Sequence, residues 1–360
     1  MNITVKTAGA APVEDDVESV VGRLWDSILE RGPKARDASL LDLRLGVRRV
    51  HRLFEAIGRE TGVALPLTTM FVAPTRAELA ALVRRGEAPP QPRAALIQPH
   101  EGGTPLFLFP GVGGHILELY ELGRLLRARG PVYANLFQGF DGRVPLHRSV
   151  AAMADYQVEV VRDIQPAGPY RLAGFSFGTL VALETARRLR EAGEAVAFLG
   201  LIEPSLPERL WPTAVKRAFL LRRLNTHLAT LKSLPSGQLL PCLGERAKPL
   251  LRRLRRLAGA PGDAEASPYS LAGLPKDLAQ AREAGLAAFY GYEIAPYDGD
   301  AIFFDSEGGD PLSCRPRDVF PPFLRACEFH RFSGDDASLM REPHVCELAD
   351  AMSRALAARA

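Results

Sequence analysis

The sequence predicts an α/β protein, a mostly parallel sheet with helices on both faces, preceded by a small helical bundle. Three observations carry that expectation. From about residue 106 onward, short apolar runs alternate with amphipathic stretches, the rhythm of strand–helix–strand units. Before residue 86 the apolar positions recur at helical spacing. Between the two regimes lies GEAPPQPR, Gly86 to Arg93, a short polar Pro-rich stretch that reads as a semi-stiff linker.

The N-terminal region is expected to hold three or four helices. Val17, Val20, Val21, Leu24, Trp25, Ile28 and Leu29 define the first. Val47, Val50, Leu53, Phe54 and Ile57 define a second, ending near Gly62, and Pro74 and Thr75 open a third through Leu79, Leu82 and Val83. So many helices in about 70 residues make a bundle. Beyond the linker, LFLFPG, PVYANL, YRLAGF and AFLGLIE are expected strands. The stretches ILELYELGRLLRARG, ADYQVEVVRDIQP and TLVALETARRLREAG are the helices between them. Residues 205–285 are amphipathic with basic faces (Lys216, Arg217, Arg222, Arg223; Arg252, Arg253, Arg255, Arg256) and read as an inserted helical lid. IFFDS and CEFHRF supply late strands, and HVCELADAMSRALAARA a C-terminal helix with Pro343 near its first turn.

Composition narrows the function classes. The 360 residues suffice for roughly two domains of about 150 residues. A net charge of +3, without a basic tail or aromatic–basic interleaving, gives no nucleic-acid signature. No apolar run reaches the ~18 residues of a membrane span, and the first 20 residues lack the pattern of a secretory signal. Cys242, Cys314, Cys327 and Cys346 are widely spaced, without a CxxC pair. They read as reduced thiols of a cytoplasmic protein, with no metal or disulfide framework.

The chemistry-bearing motif is Gly174-Phe175-Ser176-Phe177-Gly178, a GxSxG directly after the strand YRLAGF and before the helix TLVALETARRL. That context is the nucleophile elbow, in which two glycines let the chain turn sharply with the serine at its tip. The alternative is a glycine-bounded turn with an incidental serine. In the first reading the N–H of Phe177 faces a developing oxyanion. The cluster Gly111-Val112-Gly113-Gly114 after LFLFP is expected to give the second donor, Val112, the alternative being a plain strand-to-helix turn. It lacks GxxxxGK[ST] and so does not read as a phosphate loop. His115 reads as a helix-start residue.

With these motifs in place, residues 95–357 resemble the thioesterase domain that ends nonribosomal peptide and polyketide assembly lines. LFLFPGVGG, GPYRLAGFSFGTLVALETARRL, FLGLIEPSLP and FSGDDASLMREPHVCELADAM fall in that family's order. Residues 13–85 resemble the carrier protein that precedes such a domain, through LPLTTMFVAPTRAELAAL. The resemblance implies a carrier-like helical bundle at 13–85, a linker at 86–94 and an α/β-hydrolase fold with helical lid at 95–358. It also implies acyl or peptidyl carrier proteins as partners.

The sequence departs from both patterns. The family's acid, usually aspartate, falls here on Glu203, which otherwise reads as a surface glutamate at a strand end. The family's histidine falls on Asp336, the register being set by Gly334 and by Arg341-Glu342-Pro343-His344. His344 and His330 are the substitute bases to weigh. In the carrier-like segment the serine that would take phosphopantetheine corresponds to Val47, which has no hydroxyl; Ser39 is the nearby alternative. No cofactor is therefore expected. Two functions stay open: an atypical thioesterase built on Ser176, Glu203 and Asp336, or a pseudo-carrier and pseudo-thioesterase that binds without catalysis.

Overall fold

A computed structural model describes residues 14–29, 38–43, 47–86, 92–114, 116–139, 144–221, 276–308, 314–335 and 338–359. Residues 222–275 of the expected lid, Cys242, His115 and Asp336 lie outside the described residues.

The helices of the N-terminal region form where the apolar spacing places them. α1 (Glu14–Leu29) buries Val17, Val21, Leu24, Trp25 and Leu29 along one stripe. α2 (Val47–Thr61) buries Val50, Leu53, Phe54 and Ile57. It stops at Gly62, whose φ of +75° is the left-handed conformation of a helix C-terminus. α3 (Arg76–Arg84) starts at a capping box: Glu78 N–H donates to Thr75 Oγ1, and the Glu78 carboxylate accepts from Thr75 N–H. A 3₁₀ turn, Leu67–Phe71, lies between α2 and α3.

The second region is a seven-stranded sheet in the order β1-β3-β2-β4-β5-β6-β7. The strands are β1 (Ala94–Gln98), β2 (Leu106–Phe109), β3 (Val132–Asn135), β4 (Tyr170–Phe175), β5 (Val196–Ile202), β6 (Tyr297–Ser306) and β7 (Leu324–Phe332). All pairings are parallel except β1 with β3. That antiparallel edge strand, built from AALIQ, is absent from the sequence expectation. Its residues are half-buried, so it has no continuous apolar run to mark it.

The continuous apolar runs of the central strands follow from burial on both faces. Phe107, Phe109, Leu172, Leu199, Leu201 and Phe303 belong to one buried cluster, with residues of α5 (Val150–Ile164) and α6 (Gly178–Glu191). Leu106, Leu108, Ala173, Phe198, Ile302 and Phe304 belong to the other. That second cluster includes residues of α4 (Leu117–Leu125) and of the C-terminal helix. The remaining described helices named here are α7 (Lys276–Gly291), α8 (Pro316–Val319) and α9 (His344–Ala357).

The chain leaves β2 for β3 on one side and later returns to β4 on the other. The carboxyl ends of β2 and β4 therefore flank a topological switch point, where parallel sheets open a crevice. Gly111–Gly114 follows β2, and Ser176 follows β4.

Candidate active site

Ser176 sits on the sharp turn between β4 and α6 with φ +51°, the left-handed region that non-glycine residues avoid. Its N–H donates to Ile202 O (2.8 Å), and its own carbonyl accepts from Thr179 N–H (3.1 Å) and Thr179 Oγ1 (2.6 Å). The flanking glycines are there for close approach. A Cβ on Gly174 would stand 2.3 Å from Gly178 O, and one on Gly178 would stand 2.4 Å from both Phe109 O and Pro110 O. Phe177 caps α6 and is buried, its ring edge-on to Phe137 at 6.0 Å. Its N–H lies at the positive end of the helix.

The glycine loop after β2 closes with Gly114 N–H on Gly111 O (2.8 Å). Register pairs Phe109 with Gly174, so Val112 and Ser176 follow neighbouring strand ends. Two further contacts hold the loop, and neither has a sequence motif. Glu118, in the first turn of α4, accepts from Gly111 N–H at 2.5 Å. Gly285 of α7 lies against Val112, where a Cβ would be 2.7 Å from Val112 O. The C-terminal end of the expected lid region thus packs on this loop.

Glu203 follows β5 with φ +47°. Its N–H donates to Phe304 O (2.9 Å), and its carboxylate accepts from Ser306 N–H at the end of β6. The side chain is thereby turned toward β6 and β7. Among the described residues only Arg129, Ser176 and Glu203 are non-glycines with positive φ. Two of these three follow adjacent strands whose last residues, Phe175 and Ile202, are paired.

Asp336 itself is not described, but the residues on either side show which sheet edge it follows. Gly308 N–H donates to Gly334 O (2.8 Å), tying the segment after β7 to that after β6. Asp335 and Ser338 exchange hydrogen bonds, Asp335 N–H to Ser338 Oγ and Ser338 N–H to Asp335 Oδ1, each 2.9 Å. Of the substitute bases, His344 opens α9, its Nδ1 3.3 Å from Ser333 Oγ. His330 lies within β7, stacked on Phe304 at 5.3 Å, its Nε2 2.8 Å from Glu328 Oε1. In the N-terminal region Val47 opens α2. Ser39 makes a local turn, its Oγ accepting from Leu41 N–H (3.1 Å).

A second carboxylate, outside the sequence expectation, lies near Glu203. Asp305 of β6 is buried, and its Oδ1 has no hydrogen-bond partner among the described residues. Burial pushes its carboxyl above the usual range, against the pull of Arg331, Arg317 and Arg315. Among the described residues no group of three or more His, Cys, Asp or Glu could hold a metal ion. No described helix is long and apolar enough to cross a membrane.

A mostly parallel sheet, a strained serine in a GxSxG elbow and a glycine loop beside it define a protein of the α/β-hydrolase fold. Residues 104–267 match the family model described as the thioesterase domain. The chain therefore carries a thioesterase domain, and its relatives are large biosynthetic proteins. It is 31% identical over 208 residues to an indigoidine synthase of Dickeya dadantii (strain 3937), covering 58% of this chain and 14% of that protein. It is 31% identical over 217 residues to the nonribosomal peptide synthetase btyA of Aspergillus terreus (strain NIH 2624 / FGSC A1156), covering 56% of this chain and 23% of that one. The chain thus spans under a quarter of either relative. Among solved structures, the four-domain nonribosomal peptide synthetase holo-AB3403, bound to AMP and glycine, superposes with a TM-score of 0.55 at 19% identity. That superposition covers 99% of this chain and 27% of the synthetase, a likeness of fold.

Proposed function

We propose that this chain is a release module, taking an acyl or peptidyl group from a carrier-protein thioester and passing it to water or to an internal nucleophile. The paired backbone strain at Ser176 and Glu203 carries the reading. Each such residue costs of order 1–3 kcal/mol and persists where its surroundings over-determine it, as at catalytic turns. In the acylation step Ser176 Oγ bonds to the thioester carbonyl carbon while its proton passes to a base. The carbonyl electron pair moves onto oxygen, facing the N–H groups of Val112 and Phe177. The C–S bond then breaks and the thiol leaves with a proton; water or an internal nucleophile repeats the sequence on the acyl-serine. Glu203 is the acid, and Asp336 stands where an imidazole would serve as base. Loss of that base costs on the order of 10⁶ in turnover in a serine protease, but a thioester is more activated than an amide, so slow acylation survives.

A second reading, a binding scaffold, has its own support: Val47 and Asp336 replace both groups that the two units would use covalently. Intact-mass analysis after an alkyl fluorophosphonate separates the two. Release activity predicts one added phosphonyl group, lost in Ser176→Ala. A folded wild-type chain that never gains that mass would refute the enzyme reading and leave the scaffold.

The helical unit is read here as a carrier fold without its attachment point. Incubation with coenzyme A and a broad phosphopantetheinyl transferase is therefore expected to leave the mass unchanged. A gain of one arm mapped to residues 13–85 would overturn this.

A further inference from the structure

We infer that the N-terminal helical unit is a fixed wall of the hydrolase site, docked through Leu67–Phe71 onto the Gly111–Leu117 loop and positioning it. The inference rests on the thioesterase reading for its consequence but not for its geometry. Leu67, Met70 and Phe71 face Ile116, Leu117 and Leu278 across a slot that also borders Gly114. The slot holds about 10 Å³, room for one water. The two surfaces are therefore closed on each other, leaving no room for a substrate. Met70 is wholly buried, and Phe71 packs against both apolar clusters of the sheet region.

A polar contact lies on the same side. Tyr120 OH of α4 donates to Asp42 Oδ1 of the helical unit at 3.1 Å. Burial first, and Asp42 second, push the Tyr120 phenol up to about 12. Beside it, Leu40 and Leu41 face Leu117, Tyr120 and Met340 across a cleft of about 250 Å³. Apolar contact continuous with both cores is the condition under which two units of one chain cease to move independently.

The loop so covered supplies the Val112 N–H. It is held from three directions: Glu118 on Gly111 N–H, Gly285 of α7 on Val112, and the 67–71 turn on Gly114 to Leu117. A donor displaced by about 1 Å can cost up to 10²-fold in rate, so the third hold is part of the oxyanion site. Phe71 is then a positioning residue. The face of α4 it covers is closed to an incoming carrier protein, and substrate must reach Ser176 from another side.

The test uses the full chain with a specific protease site inserted between Pro89 and Pro90. After cleavage the two pieces are expected to co-elute on gel filtration, and in Phe71→Asp to separate. In uncut Phe71→Asp, amide exchange in residues 106–117 should rise about tenfold while α1–α3 stay protected. Phosphonylation of Ser176 should slow about tenfold or more, and Phe71→Leu should restore both. Wild-type pieces that part on cleavage would overturn the inference. So would exchange in 106–117 left unchanged by Phe71→Asp. Failure of wild-type Ser176 to label would instead count against the thioesterase reading, since co-elution and exchange are read without activity.

Discussion

Asp336→His is expected to raise hydrolysis of an acyl-N-acetylcysteamine thioester by about a hundredfold or more. General-base action alone contributes about 10²–10⁴, and the other parts are in place: a strained Ser176, a glycine loop, and Glu203 turned toward β6 and β7. An imidazole between Glu203 and Ser176 accepts the serine proton and later returns it to the leaving thiolate. A carboxylate adds negative charge beside Glu203 and near the oxyanion, and at neutral pH is a poor base. The measurement is the steady-state rate for wild type, Asp336→His, and Asp336→His with Ser176→Ala. Brisk wild-type turnover that depends on Ser176 would show that another base operates. No rescue in a folded Asp336→His chain would favour the scaffold. Glu203→Asp in the rescued background tests whether the longer carboxylate limits the gain.

Gly178→Ala is expected to destabilise the fold by about 3 kcal/mol or more. The added methyl would stand 2.4 Å from two backbone oxygens, Phe109 O and Pro110 O. Neither can swing aside as a side-chain tip does. Relief requires α6 to back away from the end of β2, and overpacking of that kind is costly in a close-packed interior. Gly193→Ala is the control: Gly193 has φ +83° but nothing within 4 Å of the added carbon. Its cost is therefore confined to the left-handed backbone, about 1–2 kcal/mol. Urea midpoints at equal slope report both. A Gly178→Ala chain as stable as Gly193→Ala would show that the elbow does not need the close approach.

The elements legible in the sequence are those whose pattern is local. Leu106–Phe109 and Tyr170–Phe175 read as strands because both faces are buried and every position is apolar. Arg76–Arg84 was legible because Thr75 and Glu78 form a cap with each other. Ala94–Gln98 was not: its partner, Val132–Asn135, is distant in the chain and its own residues are half-buried. α5 begins at Val150, capped by Ser149, slightly earlier than its apolar spacing suggests.

For the site, the sequence by itself determined the elbow and its glycines, the glycine loop, and the residue types at positions 203, 336 and 47, because each lies within a contiguous motif or a register set by flanking residues. Only the tertiary structure decided what meets what. Strand order brings the ends of β2 and β4 together, and a parallel sheet sets its neighbours through crossovers that leave no local mark. Glu118 reaches Gly111 and Gly285 approaches Val112 through the packing of α4 and α7. Glu203 faces Ser306 because β6, 95 to 103 residues further along the chain, lies beside β5. The turn at Leu67–Phe71 packs against the loop after β2 by shape and burial, properties that belong to two surfaces at once and to neither sequence alone.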